Sequence, residues 1–136
     1  MNSIQPVSRT ALVTGSGRNI GRSIAVAIGE QGHNVVINGS EDRVACEAVA
    51  AEVEQAGGRA VVAMGDVGRR ESFDHLIEVA HDAFGSVDIL VNNAAIRPEK
   101  PFLDTTDADW HRVLDVDLNA VFYGCRAALP GMVSNN

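Results

Sequence analysis

A glycine-rich segment, TGSGRNIG from Thr14 to Gly21, has residue types and spacing that could bind a phosphate. It lies between a β-rich apolar run, Arg9–Thr14, and a stretch in which apolar residues recur at helical spacing from Ile20. The first turn of a helix offers unpaired N–H groups and a partial positive charge, and glycines let a phosphate approach the backbone closely. The segment therefore predicts a diphosphate site formed by Gly15, Ser16, Gly17, Arg18, Asn19, Ile20 and Gly21.

The same segment resembles the TGxxxGxG loop of the short-chain dehydrogenase/reductase family. Thr14, Gly15 and Gly21 match that pattern, whereas Asn19 stands where the family has its middle glycine. Asparagine is the non-glycine residue that best tolerates a positive φ, so we expect the turn to be retained. Gly21 is expected to allow close packing of the helix on the strand. The resemblance implies that the loop binds the diphosphate of NAD(P)(H).

Later segments extend the resemblance in the family's order. Asp66-Val67 follows the third apolar run, where the family uses an aspartate to accept a hydrogen bond from the adenine amino group. The segment NNAA at residues 92–95 is similar to the family's NNAG, and Val113–Ala128 is similar to its long helix. The resemblance, which extends to 3-oxoacyl-carrier-protein reductases, implies further cofactor contacts from Asp66, Val67, Asn92, Ala94 and Ala95.

The residues after the second apolar run bear on the choice between NADP(H) and NAD(H). An acid there would hold the ribose 2′-hydroxyl of NAD(H) and repel a 2′-phosphate. The sequence instead reads Asn38-Gly39-Ser40, with no acid before Glu41. Arg18 in the glycine-rich loop could pair with a 2′-phosphate. We therefore expect Asn38, Gly39 and Ser40 to border the ribose and the chain to prefer NADP(H) over NAD(H).

The acid/base residues that the resemblance implies are missing from this sequence. The family pairs a Tyr with a Lys four residues later, whose charge favours tyrosinate, and adds a Ser and an Asn. The only Tyr, Tyr123, is followed by Gly-Cys-Arg-Ala, and the only Lys is Lys100. We expect Tyr123 to have a packing role. Asp117 occupies the position of the family's Asn and is our candidate for the proton-relay position, a role that we do not transfer to Asn119.

Apolar runs alternate with helical patterns along the chain. Runs without polar alternation are typical of strands buried on both faces of a parallel sheet, and right-handed crossovers place helices on both sides. We therefore predict a doubly wound α/β fold of Rossmann type, a three-layer α/β/α sandwich. The predicted strands are Arg9–Thr14, Val35–Asn38, Arg59–Met64 and Val87–Asn92, and the predicted helices are Ile20 to just before Gly32, Glu41–Ala56, Arg70–Phe84 and Thr106 to about Leu129.

Local signals predict how the helices begin, end and face the sheet. Glycines are expected to end the first three helices, at Gly32, Gly57 and Gly85. Thr106 with Asp109 resembles a capping arrangement that opens the last helix, and Pro130 is expected to end it. In the second helix, Val44, Ala48 and Ala51 lie on one face, which we expect to pack on the sheet.

Residues 1–136 are predicted to form a single dinucleotide-binding domain, because a chain of this length supports about one core. Compared with the family, the sequence stops before the strand and helix that would bear Ser, Tyr and Lys. We expect it to be the N-terminal portion of a longer subunit, truncated after the helix that follows the fourth strand, and without turnover of its own. That strand and helix would be partly uncovered, so we expect a homo-oligomer formed through the last helix.

Composition limits the partners. The formal charge of −7, from 11 basic and 18 acidic residues, argues against a nucleic-acid or anionic-membrane partner. No apolar run approaches the roughly 20 residues of a membrane span, and Cys46 and Cys125 are too isolated for a disulfide framework. The histidines show no metal-ligand spacing, so no metal is expected. We expect a cytoplasmic protein whose partner is a small-molecule carbonyl or alcohol.

Other function classes use the same fold. A non-catalytic nucleotide-binding or assembly module would keep the loop and need no acid/base residues, and the reading frame beyond Asn136 would distinguish it. A methyltransferase would be expected to carry an acid after the second strand, where this chain has Asn38-Gly39-Ser40. We therefore favour an oxidoreductase that interconverts an alcohol and a carbonyl by hydride transfer.

Overall fold

The structure is a computed structural model, which describes residues 7–135. Within that range the strands are β1 (Thr10–Val13), β2 (Asn34–Gly39), β3 (Arg59–Met64) and β4 (Ile89–Val91). Helices α1 (Asn19–Glu30), α2 (Arg43–Gln55) and α3 (Arg70–Phe84) connect them. After β4 come a 3₁₀ turn at Phe102–Asp104, α4 (Asp107–Leu114), a π-helical turn at Asp115–Asn119 and α5 (Ala120–Ser134).

The strands form one parallel sheet in the order β3-β2-β1-β4. The chain proceeds outward from β1 to β3 on one side and then returns to β4 on the other side of β1. The predicted doubly wound α/β fold is therefore confirmed. In such sheets the crevice beyond the carboxyl ends of the strands, where the strand order reverses, is the usual ligand site. Here that crevice lies between β1 and β4.

Both faces of the sheet are covered, because alternate residues of the buried strands point to opposite sides. Leu12 joins a core with Phe73 of α3 and residues of α5. Val13 joins a second core with Val49 of α2 and residues of α1. Phe73 is fully buried, and truncating such a side chain to alanine typically costs about 3–5 kcal/mol. The two cores hold the loops at the carboxyl edge in fixed relative positions.

The helix ends follow the local signals. Gly32, Gly57 and Gly85 all have positive φ and lie at the ends of α1, α2 and α3. At the start of α4, the Thr106 hydroxyl accepts from the backbone N–H of Asp109, and the Asp109 carboxylate accepts from the Thr106 N–H. This is the predicted capping arrangement. β4 is shorter than the predicted Val87–Asn92.

The face that α2 presents to the sheet differs from the prediction. Val44, Ala48 and Ala51 are exposed, and the buried residues are Cys46, Val49 and Val53. Apolar residues occur on more than one side of this helix, so spacing alone does not identify the packed face. The tertiary contact with α1 identifies it, because a Cβ on Gly29 would lie 2.9 Å from Cγ1 of Val53. The two helices therefore approach closely along the Val53 side.

The last helix also differs from the prediction of one helix from Thr106 to about Leu129. The structure divides it into two helices and extends it beyond Leu129. The π-helical turn separates α4 from α5, and α5 continues through Pro130 to Ser134. A proline inside a helix removes one N–H donor and leaves the carbonyl four residues earlier, here that of Arg126, without its usual partner. Arg126 and Pro130 are both exposed, so water can solvate that carbonyl. The helix therefore does not need to end at the proline.

Candidate functional site

The glycine-rich loop joins β1 to α1 at the carboxyl edge of the sheet. Gly15 (φ 61°) and Asn19 (φ 51°) both have left-handed backbone conformations. Because asparagine tolerates this conformation, the turn survives without the family's middle glycine, as expected. The N–H groups of Asn19, Ile20 and Gly21 open α1 and have no acceptor within the helix. They are therefore suited to bind an anion.

Two glycines of the loop occupy positions that leave no room for a side chain. A Cβ on Gly15 would lie 2.8 Å from Cα of Ala94. A Cβ on Gly21 would collide with the Gly15 carbonyl oxygen and lie 2.6 Å from Nδ2 of Asn93. The loop, the first turn of α1 and the segment after β4 therefore pack backbone to backbone. The close packing expected at Gly21 is confirmed.

Ser16 and Asn38 hold the loop against the end of β2. The Ser16 hydroxyl donates to the Val13 carbonyl (2.7 Å) and accepts from the Asn38 N–H (3.0 Å). The Asn38 side chain accepts from the Gly15 N–H (3.2 Å) and donates to two carbonyl oxygens at the end of β3, at 3.1 Å each. Both side chains are buried. Ser16 therefore positions the loop from beneath, and its predicted contact with the cofactor stays a prediction.

On the other side of the loop, Thr14 and Asn93 tie it to the segment after β4. The Thr14 hydroxyl accepts from the N–H groups of Asn93 (3.0 Å) and Ala94 (3.1 Å). The Asn93 amide donates to the carbonyls of Thr14 (3.0 Å) and Gly15 (3.1 Å). Asn92, the predicted contact, is exposed, and its Nδ2 lies 3.8 Å from the thiol of Cys125. Its contact with the cofactor stays a prediction. Asn93, its neighbour in the NNAA segment, is the residue that shapes the site.

These contacts border a cavity of about 360 Å³ at the carboxyl edge. Thirteen of the fifteen predicted cofactor-binding residues line it: Gly15, Gly17, Arg18, Asn19, Ile20, Gly21, Asn38, Gly39, Ser40, Asp66, Val67, Ala94 and Ala95. Its lining as described does not include Ser16 or Asn92. Residues that the sequence reasoning missed also line it: Glu41, Asp42, Ala45, Cys46, Gly65, Asn93, Ile96, Arg112 and Val116. Among these, only Asn93 and Val116 lie in segments that the resemblance marks, the NNAA segment and Val113–Ala128.

Asp66 presents a carboxylate at the side of the cavity beyond β3. Its Oδ1 accepts from the Gly68 N–H (3.0 Å) and from Nη2 of Arg112 (3.1 Å), and its Oδ2 lies 3.0 Å from Nη1 of Arg112. Partial burial alone would raise the pKa of Asp66. The hydrogen bonds from Arg112 and Gly68 and the charges of Arg112 and Arg69 outweigh this effect, so the pKa is lowered. The side chain is therefore a hydrogen-bond acceptor at neutral pH.

The part of the cavity beside the end of β2 contains groups of both charges. Arg18 is exposed and immediately precedes α1. Asp42 accepts from the Ala45 N–H (2.9 Å) as the cap of α2. A Cβ on Gly39 would lie 2.6 Å from Sγ of Cys46, so an acid could not replace this glycine without displacing the thiol. Burial, followed by the nearby Asp42 charge, raises the pKa of Cys46.

Comparison with known proteins identifies the family to which this arrangement belongs. The family model described as short chain dehydrogenase matches residues 9–136. The chain belongs to the short-chain dehydrogenase family. It is 38% identical to 3beta-hydroxysteroid dehydrogenase 1 of Eggerthella lenta over 135 residues, covering 93% of this chain and 52% of that protein.

Further proteins match the chain over a similar range. The chain is 36% identical to the 3-oxoacyl-[acyl-carrier-protein] reductase of Staphylococcus epidermidis, covering 93% of this chain and 52% of the relative. The structure of L-sorbose reductase from Gluconobacter frateurii, complexed with NADPH and L-sorbose, matches with a TM-score of 0.87 and 27% identity, covering 94% of this chain and 49% of that one. The chain thus spans about half the length of the relatives it matches.

Asp117, which the resemblance places at the position of the family's Asn, lies in the π-helical turn. Its Oδ1 accepts from the backbone N–H of Ile96 at 2.8 Å, so the side chain ties the turn to the segment that lines the cavity. Asn119 instead donates to Asp115 at 2.9 Å, within the turn itself. The two residues therefore have separate contacts. An asparagine at position 117 could accept the same bond through its carbonyl oxygen.

The Tyr and the Lys of this chain contact separate parts of the structure and not each other. Tyr123 packs against the α3-side core, with its ring edge-on to that of Phe122 at 6.1 Å between centroids. Nζ of Lys100 lies 2.5 Å from Oδ2 of Asp109. This hydrogen bond, with those from Thr106, lowers the pKa of Asp109 to about 2. Lys100 thus supports the start of α4.

Two further observations concern the described residues only. Between residues 7 and 135, no group of three His, Cys, Asp or Glu side chains is arranged to hold a metal ion. In the same range, no helix has both the length and the apolar character needed to cross a membrane.

Proposed function

We propose that this chain is the dinucleotide-binding portion of an NADP(H)-preferring oxidoreductase that interconverts an alcohol and a carbonyl. The observation that carries the proposal is the loop between β1 and α1. Its backbone is held on one side by Asn38 and on the other by Asn93, and the residues that open α1 line the cavity. Such a prearranged set of donors suits a diphosphate, because little ordering is needed on binding.

The bound nicotinamide would supply the hydride chemistry, and the residues of this chain would hold the nucleotide. The N–H groups of Asn19, Ile20 and Gly21 would bind the diphosphate oxygens. Asp66 would accept a hydrogen bond from the adenine amino group, and Ala94 and Ala95 would border the ribose on the nicotinamide side. Asp117 holds Ile96 in position at that end of the cavity and remains our candidate for the proton-relay position.

A preference for NADP(H) is supported by the charges at the ribose end. The region after β2 lacks room for an acid at Gly39, and the carboxylate of Asp42 is engaged as a helix cap. Arg18 is exposed at the cavity and could pair with a 2′-phosphate. Calorimetric titration with NADPH and NADH tests this proposal. We expect NADPH to bind about tenfold more tightly, a difference of about 1.4 kcal/mol.

A matched pair of variants locates the 2′-phosphate contact. Arg18→Ser should lower the affinity for NADPH about tenfold and leave that for NADH nearly unchanged, because only NADPH carries the phosphate. Arg43→Ser is the control, since Arg43 lies on α2, 3.9 Å from Glu47. Tenfold tighter binding of NADH by the wild-type chain would contradict the preference for NADP(H).

We further propose that the 136-residue chain has no turnover by itself. The sequence contains no Tyr-x-x-x-Lys pair, and Tyr123 and Lys100 have the contacts described above. Carbonyl reduction by a chain whose mass is verified to correspond to 136 residues would refute this proposal. The substrate of the complete enzyme is proposed only as a small-molecule carbonyl or alcohol.

A non-catalytic nucleotide-binding or assembly module is the second candidate. The sequence favours it in one respect, because nucleotide binding by the loop needs no acid/base residues and the 136 residues contain no Tyr-x-x-x-Lys pair. The reading frame beyond Asn136 distinguishes the candidates. A following segment with Ser, Tyr and Lys would support the enzyme, and a stop codon would support the module.

Self-association and a cytoplasmic location are also proposals. Large apolar side chains are exposed along α4, the π-helical turn and α5: Trp110, Leu118, Val121, Phe122, Leu129 and Val133. Exposed apolar surface of this kind favours association with a further copy. Light scattering tests this, and a monodisperse monomer at micromolar concentration would contradict it. The net charge of −7 supports the absence of nucleic-acid and membrane partners.

A further inference from the structure

The carboxylate of Asp66 is held by a residue from a distant part of the sequence. Arg112, 46 residues later, lies in the last turn of α4 and contacts both oxygens, with Nη2 3.1 Å from Oδ1 and Nη1 3.0 Å from Oδ2. The Gly68 N–H contacts Oδ1 at 3.0 Å. Two contacts from one planar guanidinium fix the rotation of a carboxylate more firmly than a single ammonium contact could.

The backbone after Asp66 is shaped to admit this guanidinium. A Cβ on Gly68 would lie 2.6 Å from Nη1 of Arg112 and 3.1 Å from Cγ2 of Val116. Gly68 therefore leaves the space through which Arg112 reaches the carboxylate. Arg69 makes only a longer ionic contact with the Asp66 carboxylate, because its Nε lies 3.8 Å from Oδ2 and its side chain is 76% exposed.

The two oxygens of the Asp66 carboxylate differ in the hydrogen bonds that they accept. An ionised carboxylate offers about four lone-pair positions, two on each oxygen. Arg112 and Gly68 each donate one hydrogen bond to Oδ1, so both of its positions are occupied. Oδ2 has an ionic contact with Nη1 of Arg112 at 3.0 Å, and Nε of Arg69 at 3.8 Å is beyond hydrogen-bond distance, so Oδ2 keeps an open position. Asp66 and Arg112 both line the cavity.

We propose that Arg112 is a positioning residue for base recognition, which holds Asp66 so that Oδ2 accepts one hydrogen bond from the 6-amino group of adenine. The inference rests on the proposed nucleotide-binding function. A purine with a 6-oxo group would bring an acceptor against this acceptor, and such a mismatch is rejected more strongly than a lost apolar contact. Arg112 would thus help to select amino-purine over oxo-purine dinucleotides.

Calorimetry with two nucleotides tests the proposal on the full 136-residue chain. The probes are NADPH and its analogue in which hypoxanthine replaces adenine. We expect the wild-type chain to prefer NADPH about tenfold, the effect of one hydrogen bond to a charged group. Arg112→Met should reduce the preference to about twofold, mainly by weakening NADPH binding. Arg112→Lys should restore part of it, because an ammonium keeps the charge but not the bidentate contact.

Arg69→Met is the matched control, since it removes a charge near the same carboxylate without removing a close contact, and it should leave the preference unchanged. Gly68→Ala provides a second variant that displaces the guanidinium and keeps its charge, and it should reduce the preference as Arg112→Met does. Equal weakening of both nucleotides by Arg112→Met would indicate a merely structural role and overturn the inference. Tighter NADPH binding by that variant would overturn it too. Failure of the wild-type chain to bind NADPH would instead refute the proposed function itself, and this inference with it.

Discussion

Replacing Asn38 with alanine would remove the side chain that joins the glycine-rich loop to β3. In the structure this amide accepts from the Gly15 N–H and donates to the carbonyls of Ala63 and Gly65. The bond to Ala63 is buried, whereas the other two are half-buried, at the cavity edge. An unpaired buried group costs about 1–3 kcal/mol, and water can partly solvate the two at the edge. We therefore expect Asn38→Ala to lower the free energy of unfolding by about 3 kcal/mol.

The matched control is Asn34→Ala. Asn34 is also a buried asparagine of β2, but it lies at the opposite end of the strand and its amide donates to the Thr10 hydroxyl at 3.2 Å. We expect it to lower the free energy of unfolding by about 1 kcal/mol. Urea unfolding followed by circular dichroism would measure both changes. For a chain of this size, about 3 kcal/mol corresponds to a fall in Tm of roughly 10 °C.

The two variants should also differ in nucleotide binding. Without Asn38 the Gly15 N–H loses its partner, so the loop must be ordered when the diphosphate binds, and we expect NADPH affinity to fall about tenfold. Asn34→Ala should leave that affinity unchanged, because Asn34 is remote from the carboxyl edge. Equal losses of stability in the two variants, or unchanged NADPH affinity in Asn38→Ala, would refute the reasoning that the loop depends on this amide.

Three further perturbations have defined outcomes. Gly39→Asp should lower the free energy of unfolding by about 1–3 kcal/mol in urea titrations, because its Cβ would lie 2.6 Å from Sγ of Cys46, and adding Cys46→Ala should recover part of the loss. Gly21→Ala should abolish NADPH binding in calorimetry and lower the urea midpoint, because its Cβ would collide with the Gly15 carbonyl. NMR titration should give a pKa of about 2 for the Asp109 carboxyl, below the pKa of about 3.9 that it has in the unfolded chain. Its stabilising contribution is therefore complete above pH 4 and is lost as the pH falls towards 2. A midpoint near 4 would contradict the Lys100 contact.

The parts of the fold that depend on local chemistry were predictable from the sequence. The glycines at positions 32, 57 and 85 end helices because a positive φ is inexpensive only for residues of this kind. The capping of α4 by Thr106 and Asp109 follows from residues three positions apart. Asn19 takes a left-handed conformation in the loop for the same local reason. In each case the interacting groups are close in sequence, so the spacing carries the information.

The packed face of α2 and the contacts of the site were decided by tertiary structure. Sequence spacing allowed more than one apolar face on α2, and the close approach of Gly29 to Val53 selected one. The resemblance pointed to Asn92 rather than Asn93, and only the position of β4 beside the loop brings Asn93 to Thr14 and Gly15.

Arg112 gives no local signal, because its contact with Asp66 spans 46 residues. The sequence by itself determined the doubly wound fold, the glycine-rich turn, the ends of the first three helices and the start of α4. The tertiary structure alone decided which side chains hold that turn and which hold Asp66, since hydrogen bonds between distant segments depend on how the layers pack.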